Sequence, residues 1–204
     1  MLDEAALRSA MDALAGRETA IAAAIERVGY PTPRQRAPGY ETLLRTIVGQ
    51  QVSVAAAASM WAKLEATLGP GCTPEALLAQ DFDALRACGL SRQKQGYARS
   101  LAELVLSGEL DLHSLPADDE EAIAQLVRIK GIGRWSAEIY LLFAEGRLDI
   151  WPAGDLAVQI SIGTLFGLPE RPSEKAIRDM AEAWRPHRSA MAIMAWHHYN
   201  TKVF

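Results

Sequence analysis

Cysteine is scarce in this chain: Cys72 and Cys88 are the two among 204 residues, they stand far apart without metal-ligand spacing, and none follows Cys88. That argues against a disulfide framework and against a zinc site, and it fits reduced thiols in a cytoplasmic setting. A surplus of positive charge is also missing. Lys and Arg total 21 against 25 Asp and Glu, a formal net charge of -4, which argues against an indiscriminate nucleic-acid coat and confines any DNA contact to a local patch. No apolar run is long enough to span a bilayer, and the N-terminus carries Asp3 and Glu4 instead of a basic stretch. A soluble, unprocessed chain with no membrane partner is therefore expected. His197 and His198 are adjacent, so on a helix they point about 100° apart and cannot share a metal in the i, i+4 manner; no metal held by side chains is expected.

What is present is 50% hydrophobic residues, enough to bury one sizeable core split into two lobes. Apolar residues recur at helical spacing over 2–14 and 18–28, with Gly16 and Gly29 as breaks. YPTPRQRAPG at 30–39 holds three prolines, which push their preceding residues to extended conformations, and reads as a loop joining the lobes. Helical spacing returns at Tyr40, breaks at Gly49 and resumes from about Ser53 to Leu68. CGLSRQK at 88–94 reads as a loop before a helix from about Gln95 to Leu106, and the acids at 118–121 suit the start of the next helix. The expected fold is all-α.

The stretch LVRIKGIGRWSAEIY, 126–140, predicts a helix, a tight hairpin and a second helix. Gly131 and Gly133 can present bare amides beside the N-terminus of the helix that starts near Arg134, where unpaired N–H groups and the helix dipole favour a phosphate. A lone GxG more often marks an ordinary helix connection. Downstream, DIWPAGD at 149–155 leads into the apolar run 156–168, a helix with Asp155 at its N-cap or first turn. Gln50 and Gln51 lie between two helices, either as a solvated turn or as side chains able to fill the gap left by an extruded base. Arg92 and Lys94 are candidate phosphate contacts, although cations flanking a helix also serve simply as solvated surface.

Together the GIGRW hairpin, the PAGD segment and WRPHRS at 184–189 resemble the helix-hairpin-helix (HhH-GPD) DNA glycosylase superfamily, closest to the 3-methyladenine DNA glycosylase II family. The resemblance runs from about Ile21 to the C-terminus. It implies two helical lobes flanking a cleft, residues 40–147 carrying the hairpin and 1–39 plus 148–204 carrying a catalytic aspartate. It implies contact with double-stranded DNA through Gln50, Gln51, Lys130, Gly131, Ile132, Gly133, Arg134 and Ser136. Either glutamine is a candidate wedge.

Asp155 is the expected catalytic residue, because breaking the glycosidic bond builds oxocarbenium character that a carboxylate can stabilise while it orients water. Alkylated purines are cationic leaving groups, and a cation over an aromatic face gains roughly 0.5 to 2 kcal/mol, so Trp135, Trp196 and, with less support from the motif, Tyr140 are expected to line the base pocket. Relatives that also cut the strand place a lysine directly after GxGR; Trp135 stands there, so a monofunctional enzyme is expected. The absence of cysteine after Cys88 removes the four-cysteine iron–sulfur cluster of some relatives. The family also implies a monovalent cation, Na+ or K+, at the hairpin carbonyls of Ile129 and Ile132, no other cofactor, and a monomer in a bacterial-type cytoplasm, associated with the nucleoid through DNA. A glycosylase for an oxidised or deaminated base and a non-catalytic DNA-binding module are the alternatives.

Overall fold

The computed structural model describes residues 1–201. Its twelve α-helices among those residues are α1 (Glu4–Ala15), α2 (Thr19–Val28), α3 (Tyr40–Gly49), α4 (Val54–Leu68), α5 (Pro74–Leu78), α6 (Phe82–Ala87), α7 (Arg92–Leu106), α8 (Asp119–Leu126), α9 (Arg134–Phe143), α10 (Leu156–Leu165), α11 (Glu174–Ala181) and α12 (Arg188–Asn200). A 3₁₀ turn, Glu182–Trp184, lies between the last two, and no strand occurs among the described residues.

Side-chain caps decide where most helices begin. Asp3, Ser53, Thr73, Asp81, Ser91, Asp118, Asp155 and Ser173 each accept a backbone N–H from the first turn that follows, satisfying a donor the helix itself leaves unpaired. The Ser91 cap explains one departure from expectation: its hydroxyl receives the Lys94 amide, so α7 starts at Arg92 instead of Gln95. Thr73 and Asp81 likewise start α5 and α6, which are too short to register as a periodic pattern. The apolar run beginning at Leu156 stops being helical at Leu165, short of Leu168, and Gly167 then turns the chain with φ +61°.

The chain forms two compact units. One is the continuous segment Arg36–Tyr140; the other joins Met1–Gln35 to the chain from Leu141 on. These boundaries differ by a few residues from those drawn at 40 and 147 from sequence, because the Arg36–Gly39 loop is tied to Tyr140, whose hydroxyl accepts the Gly39 amide at 2.7 Å. In the continuous unit α3 packs on α4 and α7, and α7 also carries α5 and α6. Leu43, Leu44, Ile47, Leu77, Leu85, Ala98 and Leu101 fill its core with no exposed surface. In the other unit α10 lies on α12 and α1 on α2, with α2 also meeting α10 and α12. Leu14, Ile21, Ile162 and the run Ala190–Ala195 are buried there.

Candidate DNA interface and carboxylate site

The hairpin closes as the Ile132 amide donates to the Ile129 carbonyl at 3.0 Å. Its two glycines do different work. Gly131 has φ +83°, and a Cβ there would lie 2.2 Å from the Tyr97 ring, so both the backbone angle and the close packing require glycine. Gly133 has an ordinary φ, is exposed, and a Cβ there would meet nothing within 4 Å. Packing within the protein therefore does not require glycine there, at the start of α9.

The other expected hairpin contacts separate sharply. Lys130 is exposed, Ser136 half-buried, and Ile132 is 3% exposed, so the Ile132 side chain belongs to the core and only its backbone faces the turn. Arg134 is committed to the protein: its Nη1 donates to Glu120 Oε2 at 2.8 Å and its Nε to Glu138 Oε1 at 2.9 Å. The Glu120 hydrogen bond pushes the Arg134 pKa further up, and the pair links α8 to α9.

Beside the hairpin lies an open groove of about 1270 Å³ whose lining includes Gln50, Gln51, Lys94, Tyr97, Gly131, Trp135, Ser136 and Ile139. Gln50 donates from Nε2 to the Gly131 carbonyl at 2.8 Å, linking the turn after α3 to the hairpin. Gln51 is exposed and sits at φ +55°, a left-handed conformation that costs a non-glycine residue of order 1–3 kcal/mol. Trp135 is 46% exposed and contributes to the groove wall. Tyr140 does not line it: the ring is 4% exposed and its hydroxyl holds Gly39, while Ile139 occupies the groove position. Lys94 is half-buried, with Nζ donating to the Val48 carbonyl at 2.7 Å, and this burial lowers its pKa. Arg92 lies over the Phe82 ring at 5.0 Å.

In the other unit, Asp155 caps α10. Its Oδ1 accepts the amides of Ala157 at 2.9 Å and Val158 at 3.0 Å, and the indole N–H of Trp196 at 3.1 Å. Three N–H donors on one half-buried carboxylate oxygen fix its direction. Trp196 is half-buried and lies 5.4 Å from the Phe143 ring centroid, so this tryptophan orients the carboxylate. The loop before Asp155 is held from behind. Trp151 packs edge-on against Trp184 and donates to the Ile177 carbonyl, and Gln159 donates to Ala153 O. Asp149 receives Arg185 at 2.6 Å and Arg188 at 2.9 Å, so the arginines of WRPHRS orient this loop and the start of α12.

A helix, glycine hairpin and helix thus lie in one unit, and the aspartate that ends PAGD caps a helix in the other. A family model described as HhH-GPD superfamily base excision DNA repair protein matches residues 44–186. The chain belongs to the HhH-GPD superfamily. DNA-3-methyladenine glycosylase 1 of Schizosaccharomyces pombe is 34% identical over 161 residues, 77% of this chain and 71% of that protein. DNA-3-methyladenine glycosylase 2 of Escherichia coli is 31% identical over 188 residues, 85% of this chain and 64% of that protein. Among solved structures, a DNA-3-methyladenine glycosidase from Bacillus halodurans superposes with a TM-score of 0.84 at 32% identity, covering 91% of this chain and 87% of that one. The S. pombe 3-methyladenine DNA glycosylase in complex with abasic DNA superposes with a TM-score of 0.79 at 31% identity, covering 92% and 95%.

Sequence reasoning missed several residues of this HhH-GPD chain. The Arg134–Glu138 pair was readable at i, i+4 spacing; Glu120 was not, since it meets Arg134 only once α8 and α9 pack. Tyr97, under Gly131, left no local signal at all.

Proposed function

We propose that this protein is a monofunctional DNA glycosylase that extrudes alkylated, cationic purines such as 3-methyladenine and 7-methylguanine from duplex DNA and removes them by hydrolysis. The observation that carries the reading is the Asp155 carboxylate, held by two helix amides and the Trp196 indole. As the glycosidic bond breaks, its electron pair leaves with the base and neutralises the ring. Positive charge builds on the sugar, where a preorganised carboxylate lowers the barrier because it need not reorient during the reaction. Asp155 then takes a proton from the water that adds to the sugar carbon, leaving an abasic site.

The strand is gripped at the exposed hairpin around Lys130 and Gly133, and Gln51 is the wedge, since Gln50 is engaged by the Gly131 carbonyl. Trp135 offers an exposed indole face to a cationic base and no amine for a Schiff base, so strand cutting is not part of the reaction. Backbone carbonyls are hard ligands of the kind that bind Na+ or K+. The Ile129 carbonyl accepts one amide and has a second lone pair, so it and Ile132 would hold such an ion, which would add positive charge towards a phosphate. No other cofactor enters the reaction, and the protein acts as a monomer.

The test is release of 3-methyladenine and 7-methylguanine from methylated duplex by wild type and Asp155→Asn, with strand breaks read before and after alkali. Release by wild type, a loss of at least about 10²-fold in the variant, and breaks confined to alkali are expected. Equal release by both proteins, or breaks without alkali, would overturn the assignment.

A further inference from the structure

Three residues on one face of α7 reach the two turns that face the groove. Lys94, Tyr97 and Ser100 follow one another at i, i+3 and i+6, so their side chains lie along a single stripe. Lys94 Nζ takes the Val48 carbonyl in the last turn of α3, immediately before Gly49, Gln50 and Gln51. Helix C-termini leave such carbonyls without an internal partner, and the half-buried Lys94 supplies the donor. The Tyr97 ring lies under Gly131 so closely that no Cβ fits between them, and the Tyr97 hydroxyl is held by Gln93. Ser100, 8% exposed, accepts the Lys130 amide at 3.2 Å. The Gln50 to Gly131 hydrogen bond then closes the circuit from one turn to the other.

We propose that Lys94, Tyr97 and Ser100 are positioning residues that hold the Gln50–Gln51 turn and the hairpin at one fixed spacing, and that Lys94 acts through Val48 and not through a DNA phosphate. The proposal rests on the glycosylase reading for its catalytic consequence and on the contacts alone for the mechanical one. Its logic is that base extrusion needs grip on the strand and filling of the gap at the same moment, so a change in the spacing of the two turns weakens turnover more than encounter.

The experiment uses the full chain and four variants: Lys94→Met, Tyr97→Ala, Tyr97→Phe and Ser100→Ala. Amide hydrogen exchange is read over 49–52 and 129–134. Lys94→Met, placed at the first turn, is expected to speed exchange in the hairpin as well, and Ser100→Ala, placed at the hairpin, to speed it in the first turn. Tyr97→Ala loosens both, and Tyr97→Phe, which keeps the ring under Gly131, restores the wild-type pattern. Exchange changes confined to the segment each variant touches would overturn the tie. This readout stands whether or not the protein releases bases, so an inactive wild type would remove the glycosylase reading and leave the tie to be decided by exchange. With active protein, Lys94→Met should lower kcat about tenfold, as loss of a charged hydrogen bond implies, with the slope of log affinity against log salt unchanged. A slope shallower by about 0.9 with kcat intact would make Lys94 a phosphate contact and overturn the assignment.

Discussion

Gly131 and Gly133 sit two positions apart and make opposite predictions. At Gly131 a methyl group meets both a φ of +83° and the Tyr97 ring, so Gly131→Ala is expected to cost about 1–3 kcal/mol of stability in urea unfolding. At Gly133 the methyl meets no protein atom within 4 Å, and the loss should stay below about 1 kcal/mol, the cost of alanine at a helix start. Duplex affinity, however, should fall in Gly133→Ala, because the methyl occupies the approach to the α9 amides. Trp196→Phe makes a second case. It keeps an aromatic ring against Phe143 but removes the N–H held by Asp155, so kcat for base release should fall about tenfold or more, the size of a hydrogen bond to a charged group, with a smaller change in KM. Asp155 as a helix cap was legible from the sequence, since the residue type and the apolar run behind it announce a helix start. The Trp196 indole on its carboxylate was not, because that contact is made across elements far apart in the chain.

At the scale of elements, α12 is joined to α2 by imidazoles. His197 meets the Val28 carbonyl at 2.8 Å, and His198 lies between Arg27 at 3.1 Å and Ser161 at 3.0 Å. Arg27 can only donate, so His198 Nε2 accepts and its proton sits on Nδ1, facing Ser161. Burial first, then the Arg27 and His197 charges, hold the His198 pKa below its ordinary 6.5. The sign follows: the unfolded chain takes up the proton first as pH falls, so this group costs stability below its unfolded value and nothing above it. Melting temperature should therefore drop between about pH 6.5 and pH 5 more steeply in wild type than in His198→Asn. Most helices were legible because capping residues and periodicity agreed, as at Ser53 and Asp118. The short α5 and α6 were not, and neither were the Val48 carbonyl at Lys94 and the Glu120 carboxylate at Arg134: a cation's solvent-exposed role and its engaged one look identical in sequence until packing brings a carbonyl or a carboxylate to it.

For the molecule as a whole, a net charge of -4 has to coexist with the proposed DNA contact. Arg134, Arg185 and Arg188 are engaged by carboxylates, which leaves the exposed Lys130 as the cation of the hairpin open to phosphate. Affinity for undamaged duplex should accordingly be weak and should fall as salt is raised from about 50 to about 200 mM, by less than the 10³-fold or more typical of proteins that make 6–10 phosphate contacts. Filter-binding titrations check this; a salt-independent affinity would argue against the hairpin as a backbone grip.

The interleaving of the two units also bears on how the chain is made. Helices α1 and α2 pack against α10 and α12, yet the continuous unit Arg36–Tyr140 is synthesised between them. At about 5–20 residues per second, the first two helices wait for on the order of five to twenty seconds while those roughly hundred residues emerge. During that interval Leu7, Met11, Leu14 and Ile21, all buried in the finished fold, lack the cover of α10 and α12. The hairpin-bearing unit can therefore be assembled on the ribosome before the aspartate's unit exists, and the newborn chain's exposure to aggregation is concentrated at α1 and α2.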